Sequence, residues 1–243
     1  MDDATAFAFK AGPPEGHAAT ATLQKFPDWR LSSGHAHPDA GGFIIFSNGK
    51  YLTGDSGYAG VPLTEHHNTL VFGGKGQAKE GAGHDAFAGV SYERLNKIRL
   101  LDVQMNARKV SLTAELTGAY EPEIGVVGFV RRFEFVAPNN FVVTDDVKLS
   151  KPQIVTAFLH SDNKIAQNGK NIFEFEPGGT SLSVEIAAPK NAETKIEKNI
   201  LTAPGKPGSV DKGEREERGA RLAVSTKNKV KAAKFVTRLK IKK

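Results

Sequence analysis

The sequence predicts an all-β fold, a large antiparallel β-sandwich of two sheets with little or no helix. Segments in which apolar and polar residues alternate recur along the chain, which is typical of strands with one buried face. Turn-forming pairs such as Asn48-Gly49, Asn168-Gly169 and Gly178-Gly179 separate these segments. Hydrophobic residues make up 39% of the chain, enough for a core, while 25 glycines and 12 prolines interrupt it often. Short strands joined by many turns fit this balance.

Ten segments carry the strand pattern: 6–10, 42–46, 69–72, 110–116, 126–136, 141–147, 154–160, 172–175, 182–186 and 234–243. Residues 92–102 fit either a helix or a strand around 98–103. Residues 204–218 are polar and dense in charge, which predicts an exposed loop. No repeat or linker divides the chain, so we expect residues 1–243 to form one domain.

The charge pattern favours polyanionic partners without identifying one. The chain has 33 basic and 27 acidic residues, a formal net charge of +6. In the last segment Phe235 and Leu239 alternate with Lys234 and Lys240, which predicts a half-buried strand with a solvated basic face. We interpret it as an edge strand protected by lysine, in preference to a groove for a polyanion.

Several classes of site are excluded by composition. No segment approaches the ~20 apolar residues that a membrane span needs, and the N-terminus shows no export signal, so we expect no membrane partner. With no cysteine in the chain, disulfides and thiolate ligands are excluded. Any metal ion must therefore be bound by histidine, aspartate or glutamate.

Histidines are concentrated in one stretch, since four of the seven lie between His35 and His67. In an extended strand His35 and His37 would face the same way and direct their rings into one space. Zinc prefers imidazole nitrogen and carboxylate oxygen in tetrahedral geometry, and His37, Asp55 and His67 could supply three ligands from successive strands. The alternative is that the histidines are surface residues and Asp55 opens a turn. A cupin metal motif also begins with H-x-H but continues with a glutamate, which this segment lacks.

The composite pattern is more specific than its parts. Residues 34–58, GHAHPDAGGFIIFSNGKYLTGDSGY, followed by EHHNTLVFGGKGQ at 65–77, resemble the signature of the β-sandwich of the heparinase II/III family of polysaccharide lyases, a group similar to the exo-acting alginate lyases. Residues 129–147, FVRRFEFVAPNNFVVTDDV, resemble that family's Arg-Arg-Phe strand and the hairpin after it. Arg131 and Arg132 alternate across this strand, so we expect one of them in a buried charge pair, with Glu134 a candidate neighbour.

The resemblance implies a division of roles within the motif. His35 would point into the substrate cleft as a catalytic residue. His37, Asp55 and His67 would bind one structural zinc ion per chain. His66 is a near alternative to His67 as ligand and a candidate for substrate binding.

Two further residues have open roles. Asp39 has the position to orient a metal-bound imidazole from outside the ligand shell, or to cap a turn. Tyr58 could stack on or hydrogen-bond a sugar, or be an ordinary half-buried tyrosine. Trp29, the single tryptophan, could line the cleft or fill the core.

The reaction implied is β-elimination on a uronic-acid polymer, with an acidic polysaccharide as partner and no nucleic acid. The family places most of its catalytic groups on a preceding α-helical toroid, which we expect this chain to lack, so that the toroid would be supplied in cis or in trans. The resemblance also implies a bacterial protein that is periplasmic or secreted. We expect little or no activity from the sandwich alone. The alternatives are a zinc-stabilised binding module for acidic glycans and a purely structural module.

Overall fold

The structure, a computed structural model, describes residues 4–31, 36–55, 62–80, 85–204 and 215–243. Nearly all of its regular structure is antiparallel strand. The strands are β1 (Thr5–Phe9), β2 (Phe43–Ser47), β3 (Lys50–Tyr51), β4 (Leu70–Phe72), β5 (Arg99–Met105), β6 (Lys109–Glu115), β7 (Val126–Val136), β8 (Asn140–Gln153), β9 (Val155–Ser161), β10 (Ile165–Gly169), β11 (Ile172–Phe175), β12 (Ser181–Ala188), β13 (Glu193–Pro204), β14 (Arg215–Ser225) and β15 (Val230–Lys242).

Helices are few and short in the described part of the chain. The α-helices are α1 (Gly16–Thr20) and α2 (Tyr92–Leu95), and 3-10 turns occupy Ala21–Gln24, Thr64–His66, Thr117–Ala119 and Pro122–Ile124. None of these helices has the length and apolar character needed to cross a membrane. The all-β prediction is confirmed.

The strands form three sheets that share one hydrophobic core. Eight strands make the large sheet in the order β10-β11-β12-β15-β8-β7-β6-β5, and the two smaller sheets have the orders β1-β2-β3 and β13-β14-β9-β4. The three-stranded sheet packs on the large one through aromatic rings, because Phe7 and Phe43 each lie 5.2 Å from Phe133 between ring centroids. Stacked antiparallel sheets around one core are the architecture of a β-sandwich.

The terminal strand differs from its sequence interpretation in one respect. As predicted, β15 buries Phe235 and Leu239 and exposes Lys234 and Lys240. It is hydrogen-bonded to β12 on one side and to β8 on the other, so the edge-strand interpretation was wrong. Alternating apolar and charged side chains indicate that one face of the strand is solvated. They do not indicate whether its backbone groups are paired on one side or on both.

Two ambiguous segments are resolved by the structure. Residues 92–102 contain both alternatives, since α2 begins after Ser91, whose side chain accepts a hydrogen bond from Arg94 N, and β5 follows. The predicted exposed loop is shorter than expected, because β13 extends to Pro204 and β14 begins at Arg215. Residues 205–214 lie outside the described residues.

Candidate metal centre

The structure brings the three predicted zinc ligands together. His37, Asp55 and His67 each offer one ligand atom, and these atoms all lie within 4.8 Å of one another. The rings of His37 and His67 are 5.3 Å apart between centroids. The residues come from irregular segments, before β2, after β3 and before β4, and not from the strands themselves as the sequence had suggested.

His67 and Asp55 hold two of the candidate ligand atoms close together. Nδ1 of His67 lies 2.9 Å from Oδ2 of Asp55. Two ligand atoms of one tetrahedral zinc ion lie about 3.3 Å apart, so an ion bound between these two atoms would take the place of their hydrogen bond. The other ring nitrogen, Nε2, is buried and has no hydrogen-bond partner among the residues that the structure describes.

His37 is electrostatically suited to bind a metal as a neutral imidazole. Burial lowers its pKa, and the neighbouring His67 lowers it further, while the carboxylates of Asp39 and Asp55 act in the opposite direction. Metal binding requires the deprotonated ring, so a lowered pKa favours the form that binds. Two imidazoles and one carboxylate are a common donor set for zinc, and the residues therefore fit this ion.

Asn68 joins the segments that carry the ligands. Its side-chain nitrogen donates to the carbonyl oxygens of Phe43 at 2.8 Å and Gly54 at 3.0 Å, and its side-chain oxygen accepts from His160 N at 2.8 Å. One buried amide thus links β2, the Asp55 segment and β9. No role was predicted for Asn68 from the sequence, although it lies in the matched stretch EHHNTLVFGGKGQ at 65–77.

Arg131 supports the same region from the large sheet. Its Nη1 donates to the carbonyl oxygens of Gly41 and Asn68, both at 2.6 Å. Its Nε and Nη2 bind the two carboxylate oxygens of Asp145 at 2.6 and 2.8 Å. The expected buried charge pair therefore exists, but its acidic partner is Asp145.

The candidate partner Glu134 is bonded elsewhere, to Lys109 at 2.5 Å. It was the wrong choice because Glu134 lies on the same strand as Arg131 but on the opposite face. Asp145 is directly across from Arg131 in the β7–β8 pairing.

Gln77, the last residue of the matched stretch at 65–77, holds the turn after His37. Its side-chain oxygen accepts a hydrogen bond from Ala40 N at 2.9 Å, and its side-chain nitrogen donates to Ala40 O at 2.8 Å. The Gln77 amide thus pairs with both backbone groups of Ala40. Gly41, next in this turn, has φ +84°, and a Cβ there would lie 2.5 Å from Leu116 Cδ1. The positive φ favours glycine at this position, and a larger residue would also require Leu116 to shift.

The remaining predicted site residues have mixed outcomes. His35 and Tyr58 lie outside the described residues. His66 is outside the ligand group: its Nδ1 accepts from Leu63 N at 3.3 Å, and burial lowers its pKa. Asp39 accepts from Lys10 Nζ at 2.5 Å, and its carbonyl oxygen accepts from Gly42 N in a turn.

His160 is a buried histidine that the sequence reasoning left without a role. Its Nε2 donates to Glu65 O at 3.0 Å, so Nδ1 carries the lone pair, and Nδ1 has no partner in the described part of the chain. Burial above all, and next the nearby His67, lower its pKa to about 3. No motif pointed to His160, because the pairing of β9 with β4 brings it here from a distant part of the sequence.

Fold and site together define an antiparallel β-sandwich that carries a two-histidine, one-aspartate cluster between its strands. A family model described as heparinase II/III-like, C-terminal, matches residues 1–235. The chain therefore belongs to the heparinase II/III-like family, of which it represents the C-terminal domain. The comparison with curated proteins returned no match.

Solved structures with a similar fold include heparinases. A heparinase III, the BT4657 gene product with methylated lysines, is 20% identical, with a TM-score of 0.68 over 99% of this chain and 33% of its own. The heparan sulfate lyase HepC from Pedobacter heparinus is 17% identical, with a TM-score of 0.69 over 98% of this chain and 33% of its own. The present chain thus spans about a third of the length of these structures.

Proposed function

We propose that this chain is the metal-binding β-sandwich part of a polysaccharide lyase that cleaves uronic-acid-containing polysaccharide by β-elimination. The family and the fold support the lyase assignment. The observation that carries the metal assignment is the cluster of His37, Asp55 and His67, whose three ligand atoms all lie within 4.8 Å of one another. The ion proposed is zinc, one per chain.

The metal would have a structural role. When bound, it would join the segments before β2, after β3 and before β4. The protein's own contacts prepare this arrangement: Asp55 and His67 already lie in contact, and Asn68 holds the flanking backbone. His37 and the proposed catalytic residue His35 are two positions apart, so a fixed His37 restricts where the His35 imidazole can lie.

β-Elimination requires three tasks, namely neutralising the uronate carboxylate, removing the proton from the carbon that bears it, and protonating the departing glycosidic oxygen. His35 is proposed to assist charge neutralisation or proton transfer, and Tyr58 and His66 to contact the sugar. These residues do not clamp a polymer by themselves, and a catalytic group acts efficiently only on a positioned substrate. We therefore propose that the sandwich has little or no activity alone.

The missing surface is proposed to be a helical toroid, in cis or in trans, with an acidic polysaccharide bound between the two parts. The matched structures contain about twice as much additional chain as this sandwich occupies, which supports such a partner. The compartment proposed is the bacterial periplasm or the exterior, where such polymers occur.

The test combines metal analysis with an elimination assay. The chain, purified without added metal, is analysed for zinc and incubated with heparan sulfate or alginate, alone and with the helical part of a heparinase III. The unsaturated uronate product is followed by its ultraviolet absorbance. We expect one zinc per chain, little product from the chain alone and more with the helical part. Full activity of the chain alone would contradict the proposed need for a toroid, and product from none of these mixtures would contradict the lyase assignment.

The second candidate is a zinc-stabilised binding module for acidic glycans. The exposed aromatic side chains of Phe26 and Trp29, which precede the H-x-H motif in the sequence, favour this candidate. It differs from the first in one result: the chain alone would bind acidic oligosaccharide, and addition of a toroid would produce no cleavage.

A further inference from the structure

Two aromatic side chains are exposed just before the H-x-H motif. Phe26 is 60% and Trp29 is 55% exposed. They belong to one turn, in which Trp29 N donates to Phe26 O at 2.9 Å. The turn is held at both ends, because Leu23 and Leu31 are buried in the core at 6% and 2% exposure. The sequence had left Trp29 either in the core or on the cleft, and its exposure excludes the core.

An ion pair connects this turn to the segment that begins at Asp85. Arg30 binds both carboxylate oxygens of Asp85 through Nε and Nη2, which holds the guanidinium in one orientation. Phe87, two residues after Asp85, lines a small depression together with His37 and Asp39. The segment that Arg30 binds through Asp85 therefore also packs beside residues of the motif.

We propose that Phe26 and Trp29 form a subsite on which a sugar ring of the acidic polymer stacks, with Arg30 at its edge. This inference rests on the proposed function. The apolar face of a sugar ring packs on aromatic rings. Aromatic side chains have few rotatable bonds, so they supply a large contact area at little entropic cost. A guanidinium oriented by Asp85 can donate its remaining N–H groups to a sugar carboxylate or sulfate. The subsite extends the polymer-binding surface beyond the H-x-H motif.

Since the chain contains one tryptophan, its fluorescence reports on Trp29 alone. The chain is titrated with a heparan-type hexasaccharide while tryptophan emission and its quenching by acrylamide are measured. We expect a saturable change in emission and protection from acrylamide. Binding is measured in parallel by calorimetry, which does not depend on the tryptophan.

Variants separate the subsite from general binding. In calorimetry, Trp29→Ala and Phe26→Ala are each expected to weaken hexasaccharide binding by about tenfold, the loss of one good stacking contact. Met105→Ala is the matched control, because Met105 is 72% exposed and lies on the edge strand β5. This control should bind as the unaltered chain does.

The outcomes distinguish this inference from the proposed function. Hexasaccharide binding that leaves the emission, the quenching and the Trp29→Ala affinity unchanged overturns the subsite and leaves the lyase assignment intact. Emission that responds to the helical part of a heparinase III but not to sugar also overturns it and identifies the turn as a protein contact. If no acidic oligosaccharide binds and no mixture with the helical part yields product, both the subsite and the proposed function fail.

Discussion

The guanidinium of Arg131 and the carboxylate of Asp145 form a two-bond ion pair inside the sandwich, with 3% and 4% of their side chains exposed. The remaining nitrogen of Arg131 binds the carbonyl oxygens of Gly41 and Asn68. The three acceptor residues lie on three different segments. The Arg131 side chain therefore joins β8, the turn before β2 and the segment before β4. The pair is therefore a support for the candidate metal centre as well as part of the core.

Loss of either partner should be strongly destabilising. Arg131→Met leaves Asp145 as a buried uncompensated charge, and we expect the free energy of unfolding to fall by about 3–5 kcal/mol in urea titrations. Arg132→Met, on the exposed side of the same strand, is the control and should change it by no more than about 0.5 kcal/mol. Equal effects of the two variants would mean that the pair contributes nothing specific.

Metal content should follow the ligand set. Elemental analysis of protein prepared without added metal is expected to give close to one zinc per chain, and His37→Ala or His67→Ala should remove most of it. His66→Ala is the matched control, because His66 neighbours His67 but its Nδ1 is bonded to Leu63 N. Zinc that persists in His37→Ala, or disappears in His66→Ala, would show that the ligands are assigned incorrectly.

Removal of the metal should lower the melting temperature. A ligand that binds only the native state stabilises it, and for a chain of this size each 1 kcal/mol of lost stabilisation lowers the melting temperature by about 2–4 °C. Chelator is expected to reduce the melting temperature of the unaltered chain and to leave His37→Ala unaffected. An unchanged melting curve after confirmed zinc removal would argue against a structural role.

His35 should act without binding the metal. His35→Ala is expected to retain zinc and melting temperature, and to lower turnover by roughly a hundredfold or more when the chain is assayed together with a toroid, as loss of an acid-base group does. Loss of zinc in this variant would make His35 a ligand. Undiminished turnover would contradict its catalytic role.

Acid should destabilise the fold partly through His160. Its pKa in the folded chain is about 3, below the ordinary value of 6.5, so the unfolded chain binds a proton that the folded chain does not between these values. The stabilisation is complete above pH 6.5 and falls by about 1.4 kcal/mol per unit as pH decreases through this window.

The measurement compares urea unfolding at several pH values in the presence of chelator, so that metal release does not contribute. His160→Gln is expected to show a shallower loss of stability below pH 6.5 than the unaltered chain. His17→Gln, which alters an exposed histidine, should retain the full slope. Parallel slopes for all three proteins would contradict a neutral buried His160.

Local patterns predicted what is local in this molecule. Strands β7 and β8 were recognisable because alternate residues such as Phe129, Phe133, Phe141 and Val143 are buried. Strands β13 and β14 were missed, because β13 is an edge strand and the first part of β14 is dense in charge. The order of strands in a sheet depends on pairing between distant segments, which is why the interior position of β15 could not be read from its own sequence.

The candidate site shows the same division. His37, Asp55 and His67 lie within one stretch and belong to a composite motif, so the sequence could select them. Asn68 and Gln77 also belong to that motif, but their hydrogen bonds to backbone groups are visible only in three dimensions. His160 gave no signal, since its position beside His67 arises from the pairing of β9.

The amide of Asn68 has a consequence for the order in which the protein matures. One of its three hydrogen bonds reaches His160, 92 residues further along the chain. On a ribosome, residues 37, 55 and 67 would emerge long before β9 exists to close that contact. A nascent chain would thus hold the proposed zinc ion only loosely, and firm retention of that ion would mark the moment when the second half of the sandwich has docked.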